Sequence, residues 1–369
     1  MKKQGFLTTV LFCLFLGAML LLTLLLPHRA FSELENRSLQ PMPTLSADAV
    51  LSGQWMEDAE SWVSDHTVLR DQWVQLRAIY ERLGGKQECG GVYYAAQDTL
   101  LSRVDAPDAA QAEKNLEAVR VFAAACPVPV RLGLIPSAAS VWADRLPAGA
   151  ETLDEAAWIT RLEAGFDGET VPISAALLAH RAEDVYYRTD HHWTSLGARY
   201  AADAVLAVLG QPLLREEELS PEVVSTDFCG TASWRSGAWW VRPDSITRMV
   251  ADPGVRVRSG VDGEREGSLY DASWLEKKNQ YAYFLGGNQP LCVLEAPTEG
   301  PKLLLVRDSY SDSLAPFLCL RFSEVHLVDL RYYRGSVQDY VREHEIDEVL
   351  VLYSLSTFLE DRSLPLLRR

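Results

Sequence analysis

The sequence predicts an α/β fold built on a mostly parallel sheet, preceded by one transmembrane helix. Four short apolar segments of the strand type are separated by segments with helical periodicity, and strands that alternate with helices form parallel sheets. Near the N-terminus, residues 6–26 contain no charged residue and no proline. At about 1.5 Å per residue, a helix of that length crosses a hydrocarbon core about 30 Å thick.

The flanks of this apolar stretch predict a membrane anchor. Lys2 and Lys3 precede it and favour a cytoplasmic N-terminus, which places the rest of the chain outside the cytoplasm. A cleaved signal peptide is the alternative, but its apolar core is usually about 7–15 residues long and ends in a small-x-small site. The segment that follows here, residues 28–31 (HRAF), is a poor cleavage site. We therefore expect a cytoplasmic tail at 1–5, an anchor at 6–26, a stalk at 27–47 and an extracytoplasmic domain at 48–369.

Charge and cysteine usage narrow the function classes. The 369 residues include 35 Lys and Arg against 51 Asp and Glu, so the net charge is −16. Phosphate backbones repel such a chain, which argues against nucleic-acid binding as its main role. The six cysteines include no C-x-x-C pair, so zinc-ribbon and thioredoxin chemistry have no support. Disulfides and buried thiols both remain open.

The order of the segments gives the organisation of the domain. Strands that are buried on both faces are predicted at residues 128–135, 302–306, 324–328 and 348–353, and helices at 107–125, 195–209, 312–320 and 336–345. Residues 48–83 also have helical spacing, and we expect their aromatic side chains to face a core. Residues 210–285 lack a regular period and are rich in Trp, Gly and Ser, so we expect an irregular insertion or lid there.

The densest group of polar and aromatic residues lies at 186–194 (YYRTDHHWT). Thr194 is a natural N-cap for the next helix, which places Asp190 and His192 in the loop before it. An Asp two residues before a His can fix the imidazole tautomer while the other ring nitrogen takes a proton. A metal site and a structural histidine are the alternative interpretations.

A serine follows one of the predicted strands. Ser309 lies between the strand at 302–306 and a helix, where open α/β sheets place their ligands. The backbone N–H groups of that helix start could hold an oxyanion, although simple N-capping by Ser309 is the alternative. Asn288, in a Gly-Gly-Asn turn, is either a turn residue or a further oxyanion donor. Together with Asp190 and His192, Ser309 makes a complete nucleophile, base and orienter.

Several strings of this sequence resemble the DHHW protein family. They are YYRTDHHWTSLGARY, FSELENR (31–37), GVYY (91–94), LGGNQP (285–290), VRDSYSDSLAPFL (306–318) and VDLRYY (328–333). That family is related to the alginate O-acetylation proteins of the AlgX and AlgJ type, whose SGNH-hydrolase-like domains carry an Asp-x-His pair before the serine. The resemblance, which runs from about residue 31 to the end, implies a three-layer α/β/α domain.

The resemblance also implies roles for single residues. Asp190 and His192 match the family's Asp-x-His pair and Ser309 its nucleophile, while Arg307 stands where the acetylation proteins commonly have glycine. We expect the substrate to be contacted by Tyr310, Arg307, Trp193 and Arg331. No metal and no organic cofactor is implied.

The implied function is transfer of an acyl group, most simply acetyl, to hydroxyls of a cell-surface glycan. A separate multi-span membrane acyltransferase would then bring acyl groups across the membrane. Two alternatives remain open at this point: an esterase that removes acyl groups, and a non-catalytic glycan-binding or assembly module.

Overall fold

The computed structural model describes residues 2–32, 37–261 and 264–369. Residue 1 of the predicted tail and residues 33–36 of the predicted stalk, which belong to the FSELENR motif, lie outside the described residues. The chain divides into two compact units, Met1–Gly90 with Trp234–Trp240 and Gly91–Ser233 with Val241–Arg369. The candidate site lies in the second unit, which begins at Gly91 rather than at residue 48.

The first unit is helical. Its helix Lys2–Leu25 contains the one segment among the described residues that is long and apolar enough to cross a membrane, Gly5–Leu25, with a mean hydropathy of 2.4. A signal sequence would pass the same test. The remaining elements are the helices Ala47–Leu51, Gln54–His66 and Arg70–Leu83 and the strands Phe31–Ser32, Arg37–Ser38 and Glu88–Cys89.

The expectation that the aromatic residues of 48–83 face a core is largely wrong. Trp62 is buried, but Trp73 is 39% exposed and Tyr80 is 78% exposed. The segment forms three helices, with Gly53 in a left-handed conformation at φ 83° between the first two. Because each break rotates the next helix, the helical spacing does not hold one apolar face against one core.

An eight-stranded sheet organises the second unit. Its strands, labelled here in chain order, are β1 Val130–Ile135, β2 Thr170–Val171, β3 Arg256–Ser259, β4 Arg265–Gly267, β5 Leu291–Glu295, β6 Lys302–Arg307, β7 Glu324–Val328 and β8 Glu348–Ser354. Their order in space is β4-β3-β5-β7-β6-β8-β1-β2. The pairs β7–β6, β6–β8, β8–β1 and β1–β2 are parallel, so their carboxyl ends share one edge.

Helices cover both faces of this sheet. Alternate residues of β6 point to opposite sides, so Leu303 and Leu305 join one buried cluster and Leu304 and Val306 join the other. The first cluster includes Leu314 and residues of Ser195–Val208, and the second includes residues of Ala109–Ala125 and Val337–Glu343. The predicted α/β architecture is therefore confirmed.

Further elements lie around the sheet. The other helices are Ala138–Val141, Glu155–Ala164, Ile173–Ala179, Thr231–Ser236, Ser311–Leu318 and Leu355–Glu360, with 3-10 turns at Ala143–Arg145, Glu216–Glu218, Ala272–Trp274, Gln280–Tyr283 and Leu364–Arg368. The pairs Val92–Ala95 with Thr99–Ser102 and Glu222–Phe228 with Asp244–Arg248 are antiparallel. All six cysteines are in the described part of the chain, and none forms a disulfide.

The sheet is mixed rather than mostly parallel. β5 runs antiparallel to β7, and β3 and β4 continue the antiparallel edge. β3 and β4 come from residues 210–285, which were expected to form an irregular insertion because they lack a regular period and are rich in Trp, Gly and Ser. Arg258 of β3 pairs across the sheet with Glu295 of β5 at 2.5 Å. Charged side chains of this kind are common on edge strands, where they discourage pairing with other chains.

Candidate functional site

The candidate nucleophile lies on a turn fixed from two sides. β6 ends at Arg307 and the next helix begins at Ser311, so Asp308, Ser309 and Tyr310 form the connection. The buried Asp308 carboxylate accepts hydrogen bonds from the backbone N–H of Tyr310 at 3.1 Å and from that of Ser354 at 2.8 Å. Since Ser354 ends the neighbouring strand β8, these bonds fix the turn to the carboxyl edge of the sheet.

The candidate base and its carboxylate come from one loop. Oδ1 of Asp190 accepts from the backbone N–H of His192 at 3.0 Å and from its Nδ1 at 2.6 Å. Oδ2 accepts from the backbone N–H of Thr231 at 2.7 Å and from its hydroxyl at 3.0 Å. Burial alone would raise the pKa of Asp190, but the charges of His191 and His192 and these hydrogen bonds hold it below its ordinary value. The carboxylate is therefore ionised at neutral pH.

The fold brings this loop against the serine turn. Nε2 of His192 lies 2.8 Å from the Ser309 hydroxyl, across 117 positions of sequence, within the hydrogen-bonding reach expected from the sequence. Because Nδ1 faces a carboxylate, it carries the ring proton and leaves Nε2 as the acceptor for the serine hydroxyl. The arrangement can withdraw a proton from Ser309 while Asp190 stabilises the imidazolium that forms.

An aromatic residue outside the recognised motifs, Tyr281, packs against the imidazole. The Tyr281 ring is stacked on His192, with centroids 3.8 Å apart and planes 9° from parallel. Its hydroxyl donates to the carbonyl of Ser309 at 3.2 Å. Tyr281 thus contacts both the base and the backbone of the serine.

The expected oxyanion donor lies near the same edge of the sheet. Asn288 is in the turn before β5, whose first residue, Leu291, pairs with Val328 at the end of β7. Leu285, Gly286 and Gly287 all have positive φ, which bears out the turn interpretation. Within the described residues, no hydrogen bond joins Asn288 to Ser309, so its role toward an oxyanion stays a prediction.

Three of the four residues expected to contact substrate are buried and need correction. Trp193 is 0% exposed, and its indole N–H donates to the Tyr310 carbonyl at 3.1 Å. Tyr310 is 4% exposed and donates its hydroxyl to the His191 carbonyl. These two side chains form the wall behind the site and are not presented to a substrate.

Arg307 is the third of these and is 0% exposed. Its guanidinium lies 2.9 Å from the carboxylate of Asp312, in the helix after Ser309. Burial would lower the pKa of Arg307, but the charges of Asp312 and Asp329 hold it above its ordinary value. Arg331 is the residue of the four that keeps access to solvent, with a third of its side chain exposed and a 2.7 Å ion pair to Asp329.

Asp190, His191 and His192 also bring three metal-ligating atoms within 4.8 Å of one another. Side-chain atoms of all three residues already take part in hydrogen bonds. Asp190 and His192 bind each other, and Nδ1 of His191 lies 2.8 Å from the Thr231 hydroxyl. A metal ion at this position would therefore have to displace the bonds that orient His192.

Two neighbouring residues that support Asp190 were also missed by the sequence reasoning. Thr231 donates twice to the carboxylate, as described above. A side chain at Gly230 would meet Asp190, since a Cβ built there lies 2.2 Å from the Asp190 Cβ and 2.3 Å from its Oδ2. Neither residue belongs to a motif, and the sequence carries no signal that links them to a loop 40 positions away.

Comparisons with known proteins confirm the predicted resemblance. Residues 169–328 match the family model of the DHHW protein, a range that includes Asp190, His192 and Ser309. Residues 93–235 match the model of the SGNH hydrolase-like domain, acetyltransferase AlgX, which ends before Ser309. A search of curated proteins found no match.

Solved structures show the same fold. A DHHW family protein from Eubacterium siraeum has a TM-score of 0.66 at 23% identity, over 76% of this chain and 95% of that one. PatB1 from Bacillus cereus with a sulfonyl adduct has a TM-score of 0.62 at 17% identity, over 75% of this chain and 98% of that one. A second PatB1 structure has a TM-score of 0.56 at 18% identity, over 72% and 96% of the two chains.

Proposed function

We propose that this chain is a membrane-anchored, extracytoplasmic O-acyltransferase that transfers acetyl groups to hydroxyls of a cell-surface glycan. The observation that carries the proposal is His192, which contacts Asp190 at 2.6 Å and Ser309 at 2.8 Å. The partial match to an acetyltransferase domain supports acetyl as the group. The glycan acceptor is what the resemblance to alginate O-acetylation proteins implies. The apolar helix Gly5–Leu25 supports anchoring.

The proposed reaction has two steps. The Ser309 oxygen attacks the carbonyl of an acetyl donor while His192 takes its proton, and the leaving group departs with that proton. The Ser309 N–H and Asn288 are proposed to stabilise the oxyanion. In the second step His192 takes a proton from a glycan hydroxyl, which attacks the acetyl-enzyme and releases Ser309. A multi-span membrane protein is proposed to supply the acetyl groups.

The first experiment tests the serine mechanism on the purified full-length chain in detergent. We expect acetate release from p-nitrophenyl acetate, with Ser309→Ala and His192→Ala each reducing the rate by about 10⁴-fold or more. His191→Ala is the matched control and should keep most of the rate, because Nε2 of His192 is the ring nitrogen that lies 2.8 Å from the Ser309 hydroxyl. Equal rates for wild type and Ser309→Ala would show that the serine mechanism is wrong.

The second experiment separates transfer from hydrolysis. The same protein is incubated with p-nitrophenyl acetate and a neutral oligosaccharide, and the sugar is analysed by mass spectrometry. Acetylated oligosaccharide that requires Ser309 supports a transferase, whereas free acetate alone identifies an esterase. PatB1 was captured as a sulfonyl adduct, so a sulfonyl fluoride serves as an independent probe. Failure of the reagent to label the peptide that carries Ser309 would contradict an activated nucleophile.

A further inference from the structure

A large cavity in the second unit has no part in the proposed mechanism. Its volume is about 650 Å³, and none of Asp190, His192 and Ser309 lines it. The charged and amide residues in its wall are Arg145, Arg188, Arg242, Asp184, Asp244 and Gln97. Cavities of this size bind sugar-sized and larger organic molecules.

The guanidinium of Arg145 stands out in this wall. The residue is 7% exposed, and it donates one long hydrogen bond of 3.4 Å to the Thr99 hydroxyl. Its guanidinium also lies 3.8 Å from the centre of the Trp142 ring. Within the described residues, no carboxylate oxygen lies within 4 Å of it. Burial lowers the pKa of Arg145, although the charges of Asp144 and Asp184 partly offset this.

Arg188, Arg242 and Asp244 in the cavity wall already have partners. Arg188 pairs with Asp244 at 3.2 Å and with Asp98 at 3.3 Å, and Arg242 pairs with Asp98 at 3.0 Å. Asp244 is further occupied by the Thr189 hydroxyl at 2.6 Å. Asp184 is exposed to solvent. Arg145 is therefore the buried charge in this wall that lacks an ion-pair partner, and such a charge is costly until it is paired.

A helix start adds a second attraction for negative charge. Thr194, Ser195 and Leu196 line the cavity, and they form the N-cap and first turn of the helix Ser195–Val208. The first N–H groups of a helix have no acceptor within it, and the helix dipole favours an anion at this end. The buried guanidinium and the helix start thus face one space.

We propose that this cavity binds a sugar-sized ligand that carries an oxyanion, with Arg145 as the ion-pair partner of that anion. The volume exceeds what a free inorganic ion fills, since a water molecule occupies about 30 Å³. The oxyanion belongs to an acidic residue of the glycan, either a carboxylate or a phosphate. That last assignment rests on the proposed function, whereas binding of an oxyanion does not.

The cavity and the catalytic candidates share one loop. Arg188 lines the cavity, and Asp244 accepts hydrogen bonds from the backbone N–H groups of both Arg188 and Thr189. Thr189 precedes Asp190 directly. A glycan residue bound in the cavity would therefore contact the segment that carries the candidate base, as expected for a subsite next to the reacting sugar.

The test is calorimetric titration of the full-length chain in detergent with glucose, glucuronate and glucose 6-phosphate. The last two differ from glucose by their oxyanion, and each should bind more tightly than glucose if it is the recognised group. Tighter binding of glucuronate assigns a carboxylate, and tighter binding of glucose 6-phosphate assigns a phosphate. If neither binds more tightly than glucose, the proposal is overturned.

Variants locate the site. Arg145→Gln should weaken the preferred ligand by roughly 10-fold or more, the loss expected for a hydrogen bond between two charged groups. Arg161→Gln is the matched control, because Arg161 also lies over a tryptophan, Trp158, but is outside the cavity. Unchanged binding by Arg145→Gln would refute the assignment.

Should Arg145→Gln fail to fold, Ser245→Glu places a carboxylate on an exposed position of the cavity wall and should also weaken binding. Unchanged affinity in Ser245→Glu would refute the site as well. Because none of these sugars carries an acyl ester and Ser309 does not line the cavity, Ser309→Ala should bind them like wild type. Absence of acyl transfer by the wild-type chain, with oxyanion binding retained, would refute the proposed function and leave the anion site standing.

Discussion

Gly230 offers a sharp test of whether the position of Asp190 matters. The glycine lies against the carboxylate, and a Cβ at this position would be 2.2 Å from the Asp190 Cβ and 2.3 Å from its Oδ2. The φ angle of Gly230 is not in the left-handed region, so the substitution Gly230→Ala introduces a collision without backbone strain. Its effect therefore reports on the space that Asp190 occupies.

The size of the collision sets the expected loss of activity. Ordinary van der Waals contact of a Cβ begins at 3.4 Å, so Asp190 must retreat by about 1.2 Å from its present position. A shift of that size would disturb the geometry of the bond from His192 Nδ1, now 2.6 Å. A misplacement of about 1 Å in a catalytic arrangement costs about 10²-fold in rate. We expect Gly230→Ala to lower kcat for acetyl-ester hydrolysis by at least that factor.

The assay compares Gly230→Ala with a control variant, Gly165→Ala, in which the added Cβ also lies too close to a neighbouring side chain. A Cβ at Gly165 would lie 2.8 Å from the end of the Leu116 side chain, remote from Ser309. Gly165→Ala should lower the unfolding temperature through overpacking while the kcat of the folded protein stays near the wild-type value. Thermal unfolding of both variants, followed by circular dichroism, separates lost folding from lost activity.

The combination with Asp190→Asn completes the test. If Gly230→Ala acts through Asp190, the double variant should be no slower than the slower single variant, since residues that act as a unit are not additive. A folded Gly230→Ala protein with wild-type kcat would refute the reasoning. So would a double variant whose loss equals the product of the two single losses.

Tyr281→Phe keeps the ring on His192 and removes its hydroxyl, so kcat should fall only a few-fold. Tyr281→Leu should lower kcat roughly 10-fold or more, because no ring then orients the base. Equal kcat values for the two variants would contradict this. Burial lowers the pKa of His326 to about 4 from 6.5, so on acidification the unfolded chain takes up the proton first. The stability that neutral His326 contributes is thus complete above about pH 6.5 and is lost toward pH 4. In urea unfolding, the free energy of unfolding should fall by about 1–3 kcal/mol between pH 7 and pH 5, and His326→Gln should largely remove this fall. N-terminal sequencing of the membrane fraction should find the apolar helix retained, and a mature chain beginning near residue 31 would contradict the anchor.

The parallel part of the fold could be predicted because its signals are local. β6, β7 and β8 are short, branched and apolar, and each lies within one residue of its predicted bounds. The helix at 195 begins where Thr194 caps it, with the Thr194 hydroxyl accepting from the N–H of Gly197 at 3.3 Å. Strong local preferences that agree with the final packing are the ones a single sequence reveals.

The antiparallel edge could not be predicted because its stability is not local. β3 carries arginine at 256 and 258, and β4 begins with Arg265 and Glu266. The two strands make cross-strand pairs such as Arg256 with Glu266 at 3.4 Å. Those pairs form only after distant segments have met. The same limit applies to the residues that were expected to contact substrate. Whether a side chain is buried depends on what the fold places around it.

The candidate site also combines features that a short motif predicts with features that depend on the whole fold. Asp190 and His192 are two residues apart, and the Asp190 carboxylate accepts from both the backbone and the ring of His192, so one loop fixes base and orienter together. What the fold must add is the meeting with Ser309 and the support of Thr231 and Gly230. A site built this way places much of its geometry in a short motif, which explains why the motif, taken together with Ser309 at a strand-to-helix turn, indicated the chemistry. Its activity should therefore be more sensitive to the few long-range supports than to changes in the rest of the loop.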